Sequence, residues 1–213
     1  MIRPCKTTAA FAGIVAGLAL NISAANAGPY FGLSAGVSKA DISKSTYDVL
    51  LAEDISRSSL DDSDTALGAQ IGYRWGKYVA AELGYVDLGE AWYRANVAGT
   101  TGSVSVRHVS SGPTLGILGL VPVSEKFDLY GKLGLFYSDV RIRVAGEDAD
   151  GQILVSEEVK AHSKDAYAGI GAAWNINKKF ALRVEYQRFL DVGDSHRTGE
   201  SDVDLITVGV LFQ

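Results

Sequence analysis

Apolar and polar residues alternate along most of the chain with a period of two, which is typical of β-strands that bury one face. Eight segments show this alternation, at about 29–40, 65–75, 78–90, 103–123, 127–143, 162–176, 179–190 and 202–213. The segments are long enough to supply the about 9–11 residues that cross a membrane as a tilted strand. The pattern therefore predicts an all-β protein of eight strands.

The segments between the strands alternate in length. Three of them are tight turns, at Gly76-Lys77, Ser124-Glu125-Lys126 and Asn177-Lys178-Lys179. Longer polar segments lie near 41–64, 91–102, 144–161 and 191–201. Short periplasmic turns and long external loops follow one another in this way in outer-membrane barrels, so an antiparallel up-and-down barrel is expected.

The two faces of the strands distinguish a transmembrane barrel from a soluble one. One face is apolar and aromatic, and the other consists of Gly, Ala and charged residues, namely Glu82, Lys132, Arg183 and Glu185 in mid-strand. A soluble carrier barrel would turn its apolar face toward the cavity. Charged residues among Gly and Ala instead fit a narrow lumen in which opposite charges pair, with the apolar face against lipid.

Aromatic residues cluster near the strand ends that the short turns connect. They are Tyr30, Phe31, Tyr73, Trp75, Tyr78, Phe127, Tyr130, Trp174 and Phe180. Tyr and Trp favour the membrane–water interface, because the ring is apolar and its polar atom seeks water. We expect Tyr73, Trp75, Tyr78, Trp174 and Phe180 to form an interfacial girdle.

The amino terminus has the pattern of an export signal. Arg3 and Lys6 precede the apolar run 9–20, and the segment ends Ala25-Asn26-Ala27. A basic start, a short apolar core and an A-x-A ending are typical of a secretory signal peptide. We therefore assign residues 1–27 to a signal peptide and 28–213 to the barrel domain.

Composition excludes several classes of function. The chain has a net charge of -5, and without Arg3 and Lys6 it has 18 basic and 25 acidic residues, or -7. This acidity argues against nucleic-acid binding, which favours a basic surface. The single Cys lies within residues 1–27, so the barrel domain has no thiol nucleophile, disulfide or Cys metal site.

Several stretches resemble the OmpA-like eight-stranded outer-membrane β-barrel family. They are Tyr30-Phe31-Gly32, Gly72-Tyr73-Arg74, Ala81-Glu82-Leu83-Gly84-Tyr85, Leu129-Tyr130-Gly131-Lys132-Leu133-Gly134 and, most specific, Leu182-Arg183-Val184-Glu185-Tyr186-Gln187. The resemblance covers essentially all of 28–213 and implies a lumenal network of acidic and basic side chains. Glu82, Lys132 and Arg183 match its positions, whereas Ala173 stands where the barrel that names the family has a second acid.

Two further departures from the family accompany this resemblance. Members typically end in an aromatic residue that the barrel-assembly machinery binds, and here Gln213 follows Phe212. The family's periplasmic peptidoglycan-binding domain is expected to be absent, which leaves the transmembrane barrel alone.

Two other patterns offer weaker candidates for chemistry. His108 and Ser110 have the His-x-Ser spacing of outer-membrane lipid A deacylases, but no Asp or Glu occurs between Ala95 and Glu125 to orient the histidine. The acidic segment Gly146 to Glu157 fails as an EF-hand, because its first position is Gly and no helices flank it. We predict no catalytic residue, metal site or cofactor.

These patterns lead to a non-enzymatic monomer of the outer membrane of a Gram-negative bacterium. Its expected role is structural, or surface interaction through external loops that bind a host or surface ligand. Glu82, Lys132, Arg183 and Glu185 are expected to close the lumen as paired charges. A narrow pore for ions or small solutes is the alternative, and a lipid A-modifying enzyme is a third. The expected partners are outer-membrane lipid, lipopolysaccharide and the barrel-assembly machinery.

Overall fold

The computed structural model describes residues 27–41, 55–97, 103–147, 153–194 and 199–213. The signal-peptide prediction for 1–27 lies outside this part of the chain, except for Ala27. Nine strands occur in the described residues: β1 Gly28–Ala40, β2 Ile55–Asp61, β3 Ser63–Trp75, β4 Val79–Val97, β5 Ser103–Pro122, β6 Phe127–Glu147, β7 Ile153–Asn175, β8 Phe180–Asp194 and β9 Gly199–Phe212.

These strands form one closed antiparallel sheet. The order is β2-β4-β3-β1-β9-β8-β7-β6-β5, and pairing of β4 with β5 closes the ring. Strands β2 and β3 both pair with β4, at 92–97 and 79–87 respectively, and only Asp62 separates them. They are therefore two parts of one wall strand, and the prediction of an eight-stranded antiparallel barrel is confirmed.

The tight turns lie where the sequence predicts them, but the long-loop predictions were wrong in extent. Strand β4 continues to Val97, β6 continues to Glu147, and β7 already begins at Ile153. The predicted loops near 91–102 and 144–161 are thus largely strand in the described residues. Pairing extends there because antiparallel hydrogen bonds need no apolar face, so the ladder continues beyond the apolar band.

Side chains on the outer wall differ sharply from those in the lumen. Leu133 is 69% exposed and Ile71 is 61% exposed, whereas Glu82 is 3% exposed and Arg183 is 4% exposed. Strict alternation produces this contrast, because successive side chains point to opposite faces of the sheet. The apolar face therefore points outward, and the Gly, Ala and charged face lines the lumen.

Lumenal glycines provide the space that inward tyrosine rings fill. A Cβ atom at Gly171 would collide with the phenol of Tyr130, and one at Gly72 would collide with Tyr30. A Cβ at Gly116 would lie 2.5 Å from the hydroxyl of Tyr167. A barrel of eight strands has an interior just wide enough for side chains, so large residues need small ones opposite them.

The end of β9, the carboxyl-terminal strand, contacts both neighbouring strands through aromatic rings. The ring of Phe212 stacks on Phe31 at 4.3 Å and meets Phe180 edge-on at 5.2 Å. Gln213 donates its backbone N–H to the carbonyl of Lys179. Among the described residues no helix is long and apolar enough to cross a membrane.

Candidate functional site: the lumenal charge network

Four charged side chains from three strands meet inside the barrel. Glu82 lies on β4, Lys132 on β6, and Arg183 and Glu185 on β8. With β2 and β3 counted as one strand, the barrel has eight strands, and β4 and β8 lie opposite each other in it. The side chains of Glu82 and Arg183 therefore cross the lumen to meet. Each residue points inward because its parity along the strand matches that of the lumenal Gly and Ala residues.

Glu82 binds both cations and a phenol. Its Oε1 accepts from Arg183 Nη1 at 2.5 Å and from the hydroxyl of Tyr30 at 2.7 Å. Its Oε2 lies 2.8 Å from Lys132 Nζ and accepts from Arg183 Nη2 at 3.3 Å. The carboxylate is therefore bonded through both oxygens.

Glu185 completes an alternating arrangement of charge. Its Oε1 accepts from Lys132 Nζ at 3.2 Å, and its Oε2 lies 2.6 Å from Arg183 Nη2. The hydroxyl of Tyr130 donates to Oε2 at 2.8 Å. Each cation thus contacts two carboxylates and each carboxylate contacts two cations, so the group of four is neutral.

Burial makes this arrangement interdependent. The side chains of the four residues are between 2% and 7% exposed. A buried charge is expensive unless it is paired and hydrogen-bonded, and removal of one partner leaves the others uncompensated. Removal of any one of the four residues is therefore expected to destabilise the other three.

Two tyrosines of the site were assigned wrongly from the sequence. Tyr30 and Tyr130 were grouped with the interfacial aromatics, but both point into the lumen and donate to Glu82 and Glu185. Arg183 also lies over the ring of Tyr130, 4.5 Å from its centroid, and donates Nε–H to its oxygen. The sequence does contain a signal for the inward direction of Tyr130. Tyr130 precedes Lys132 by two residues, so the two side chains lie on the same face of the strand.

Further side chains fill the lumen on either side of the network. Toward the periplasmic turns, Arg74 Nη1 donates to Asp128 Oδ2 at 2.9 Å, and Asn175 Nδ2 donates to the same oxygen at 3.3 Å. Toward the external end, Phe136 and Tyr167 pack against Phe189 at ring distances of 5.0 and 5.1 Å. The charge network thus lies between a second ion pair and an aromatic layer.

Ala173 lies beside the charge network and is itself uncharged. It is 7% exposed and is the direct register partner of Arg183 on the neighbouring strand. Directly opposite residues have Cβ atoms about 4.5–5.5 Å apart, so an acid at 173 would lie within reach of the guanidinium. Here the guanidinium instead contacts Glu82 and Glu185.

His108 and Ser110 both point into the external part of the lumen. They line one small cavity of about 30 Å³, and neither His108 Nδ1 nor Ser110 Oγ has a hydrogen-bond partner in the described part of the chain. The two side chains therefore do not form a histidine–serine hydrogen bond. The described residues contain no group of three or more His, Cys, Asp or Glu side chains that could hold a metal ion.

The five aromatics named for the girdle all lie exposed on the outer wall. They are Tyr73, Trp75, Tyr78, Trp174 and Phe180, with exposed fractions between 38% and 65%. Trp174 stacks on Phe127 at 5.9 Å and Tyr73 is tilted against Trp75 at 5.1 Å. Rings in this position lie next to the short turns that begin at Gly76, Ser124 and Asn177.

Comparison with known proteins agrees with this architecture. Outer membrane protein A of Escherichia coli O157:H7 is 27% identical over 155 residues, which are 71% of this chain and 40% of that protein. Outer membrane protein P5 of Haemophilus influenzae is 31% identical over 115 residues, 54% of this chain and 31% of that protein. The chain thus spans about two fifths or less of the length of these relatives.

Among solved structures, the N-terminal β-barrel domain of Pseudomonas aeruginosa OprF is 12% identical, with a TM-score of 0.45, over 87% of this chain and 98% of that chain. The family model of the OmpA-like transmembrane domain matches residues 24–213. Its relatives are Gram-negative outer-membrane proteins, and so is this one. The chain belongs to the OmpA-like transmembrane domain family.

Proposed function

We propose that this protein is a structural element of the outer membrane whose lumen is closed to ions, and that it is not an enzyme. The observation that carries the proposal is the neutral group of Glu82, Lys132, Arg183 and Glu185, in which every charge has two opposite partners. Such a group fills the section of the lumen where it lies and offers no unpaired charge to a passing ion.

The energetics favour closure over conduction. An ion that enters this section must separate pairs whose side chains are at most 7% exposed, and no bulk water is there to replace the lost contacts. The tyrosine hydroxyls hold both carboxylates in place from the side. An eight-stranded barrel leaves no further width through which an ion could bypass them.

Planar-bilayer recording tests this proposal. We expect the wild-type protein to give no unitary conductance after reconstitution. A heat-dependent shift in gel mobility, which marks a folded barrel, provides the insertion control on the same vesicles. Reproducible single-channel steps from the wild-type protein would contradict the closed lumen and favour the narrow pore.

Ala173→Glu is expected to open a conducting state. The new carboxylate would lie beside Arg183, its register partner, and would compete with Glu82 for the guanidinium. Departure of Arg183 leaves Glu82 with Lys132 and Tyr30 and loosens the section. We expect unitary steps in the variant where the wild-type protein is silent.

Ala173→Gln is the matched control, because glutamine has the same size without the charge. It is expected to stay silent. If Ala173→Glu and Ala173→Gln are both silent in folded barrels, competition for Arg183 does not open the lumen, and the prediction of a conducting state is wrong.

The non-enzymatic part of the proposal has its own test. His108 and Ser110 face a cavity with space for about two water molecules, and both point away from the lipid that a lipid-modifying enzyme would attack. Ser110→Ala is expected to leave the lipid A profile of the host unchanged. A changed profile would overturn this assignment.

A further inference from the structure

The wall of the barrel is split between β7 and β8 on its external side. Backbone pairing of these two strands ends at the row Tyr167–Phe189, although β7 extends outward as far as Ile153 and β8 as far as Asp194. In the described part of the chain, segment 153–166 of β7 pairs with β6 and not with β8. One edge of β7 therefore has no neighbouring strand among the described ones along this segment.

A bulge in β8 explains why the two strands separate. The register of β8 with β9 shifts between Phe189 and Val192, and within this shift Asp191 has a φ of 51°. Gly193, two residues further on, has a φ of 122°. A bulge bends the strand that carries it, and Asp and Gly tolerate positive φ better than most residues. β8 therefore bends away at this point, while β7 stays paired with β6.

Side chains bridge the split just beyond the last backbone pair. The N–H of Gly193 donates to Ser163 Oγ at 3.3 Å, and Ser163 in turn donates to Asp165 Oδ1 at 2.6 Å. These three residues line a groove of about 730 Å³. Ligand pockets in proteins have volumes of about 300–1,000 Å³, so the split has the size of a binding site.

The groove combines apolar and acidic side chains. Tyr137 and Leu190 line it and are exposed, and exposed Tyr favours the membrane–water interface, so the groove begins at that depth. Lys164 lies on the same flank as Tyr137, 5.8 Å from its ring centroid. The opposite flank, from β8 and β9, carries the carboxylates of Asp191, Asp194 and Glu200. Together with Asp165 these carboxylates outnumber the cations of the lining, which favours a cationic occupant.

The free edge of β7 determines the shape of that occupant. An open strand edge accepts an extended segment as an additional strand, through main-chain hydrogen bonds. A second copy in the same membrane does not fit, because a two-fold axis along the membrane normal leaves both copies of β7 running in the same direction. Symmetric pairing of two identical edges requires antiparallel strands.

We propose that the groove and segment 153–166 of β7, hereafter the β7 cleft, bind an extended basic peptide segment of a partner outside the cell. The segment adds to β7 as a strand, and its Lys or Arg side chains reach Asp191, Asp194 and Glu200. Main-chain pairing supplies affinity in this mode, and the carboxylates supply the preference for basic side chains. This proposal does not depend on whether the lumen conducts ions.

The test uses the folded barrel in phosphatidylcholine vesicles and three synthetic peptides of about eight residues, a typical strand length. The first alternates Lys and Val, the second alternates Glu and Val, and the third is the Lys–Val peptide with N-methyl groups that block strand pairing. Fluorescence anisotropy of the labelled peptides measures binding. We expect saturable binding of the Lys–Val peptide and at least tenfold weaker binding of the other two.

The decisive variant is Asp191→Asn with Glu200→Gln, which removes two carboxylates from the β7 cleft. Asn tolerates the backbone of position 191 as well as Asp does. The matched control is Asp62→Asn with Glu90→Gln, which removes the same charge from the β3–β4 side, across the ring from β7 and β8. Exposed ion pairs contribute modestly, so the variant should bind the Lys–Val peptide about tenfold more weakly. The control should keep the wild-type affinity.

Amide hydrogen exchange locates the bound peptide. Exchange in segment 153–162 of β7 should slow when the Lys–Val peptide is added, because its free edge gains hydrogen-bond partners. A heat-dependent shift in gel mobility confirms that each variant is folded, and Glu200→Gln alone replaces the double variant if that one is not. Equal binding by variant and control, equal binding of the N-methylated peptide, or unchanged exchange in 153–162 would each overturn the proposal. Slowed exchange in 153–162 with rising protein concentration and no peptide would overturn it too, since a second copy would then be the occupant.

Discussion

The lumen and the outer wall of this barrel use the same residue types with opposite consequences. Arg183 in the lumen is 4% exposed on its side chain and contacts two carboxylates, whereas Arg143 on the outer wall is 55% exposed and pairs with Glu158. Inside, each charge depends on its partners because water is excluded. Outside, water and salt can replace a lost partner. Burial, and not the number of ion pairs, decides what each pair contributes.

Glycine shows the same contrast. Gly171 in the lumen gives its space to the phenol of Tyr130, while Gly119 on the outer wall has no atom within 4 Å of an added Cβ. The first glycine is a packing requirement and the second is open to substitution. The two regions therefore differ in tolerance for charge and for volume, and two pairs of substitutions and one single substitution test that difference.

Arg183→Leu is expected to have the largest effect. It leaves Glu82 and Glu185 buried with Lys132 as their one remaining cation among the described residues. Breaking a buried ion pair from one side costs about 3–5 kcal/mol, because the remaining charge stays uncompensated. Urea unfolding of the protein in lipid vesicles, followed by tryptophan fluorescence, would measure this loss.

The control for that variant is Arg188→Leu, which removes a guanidinium on the outer face of the same strand, β8. Arg188 binds Asp202 and lies at the rim, where water reaches both groups. We expect its unfolding midpoint to remain near that of the wild-type protein. Equal destabilisation by the two variants would remove the distinction between lumen and wall.

Gly171→Ala is expected to have an intermediate effect. The added methyl group must displace Tyr130, which would in turn pull its hydroxyl from Glu185. Overpacking of a filled interior typically costs about 1–3 kcal/mol. The same urea titration would measure the loss, and Gly119→Ala, the same change on the outer wall, should leave the midpoint unchanged. A neutral Gly171→Ala would mean that the tyrosine ring is free to move.

The sequence alone was sufficient to predict the fold, and it also nominates the members of the charge group. A charged residue in mid-strand among Gly and Ala can avoid lipid only by pointing inward, so Glu82, Lys132, Arg183 and Glu185 follow from parity. Which acid binds which base does not follow. That depends on how β4 and β8 are placed across the closed ring, and closure is a property of the whole sheet.

Two errors of the sequence interpretation have separate physical causes. Residues 153–161 show no simple apolar alternation, so the start of β7 was placed at 162 instead of Ile153. Tyr130 was assigned by its position near a strand end and not by its parity, although it points into the lumen. Backbone pairing does not require an apolar face, and an aromatic ring near the interface can point either way.

Glu158→Gln is expected to have the smallest effect, and it tests the outer wall most directly. Glu158 accepts from Arg143 Nη2 at 2.6 Å and lies 2.9 Å from Lys160 Nζ. These hydrogen bonds lower the pKa of its carboxyl from 4.5 to about 2. A lowered pKa in the folded state means that the stabilising contribution is complete above pH 4.5 and is lost as the pH falls through about 2.

Because solvent reaches the Glu158 carboxylate at the surface of the wall, water and salt screen this contribution almost completely. At neutral pH and about 0.15 M salt we therefore expect Glu158→Gln to unfold at the wild-type urea midpoint. A difference should emerge only at low ionic strength, and there it should vanish as the pH approaches 2, where the wild-type carboxyl is protonated as well. A salt-independent loss comparable to that of Arg183→Leu would place the outer wall in the same energetic class as the lumen, and the contrast between the two regions would fail.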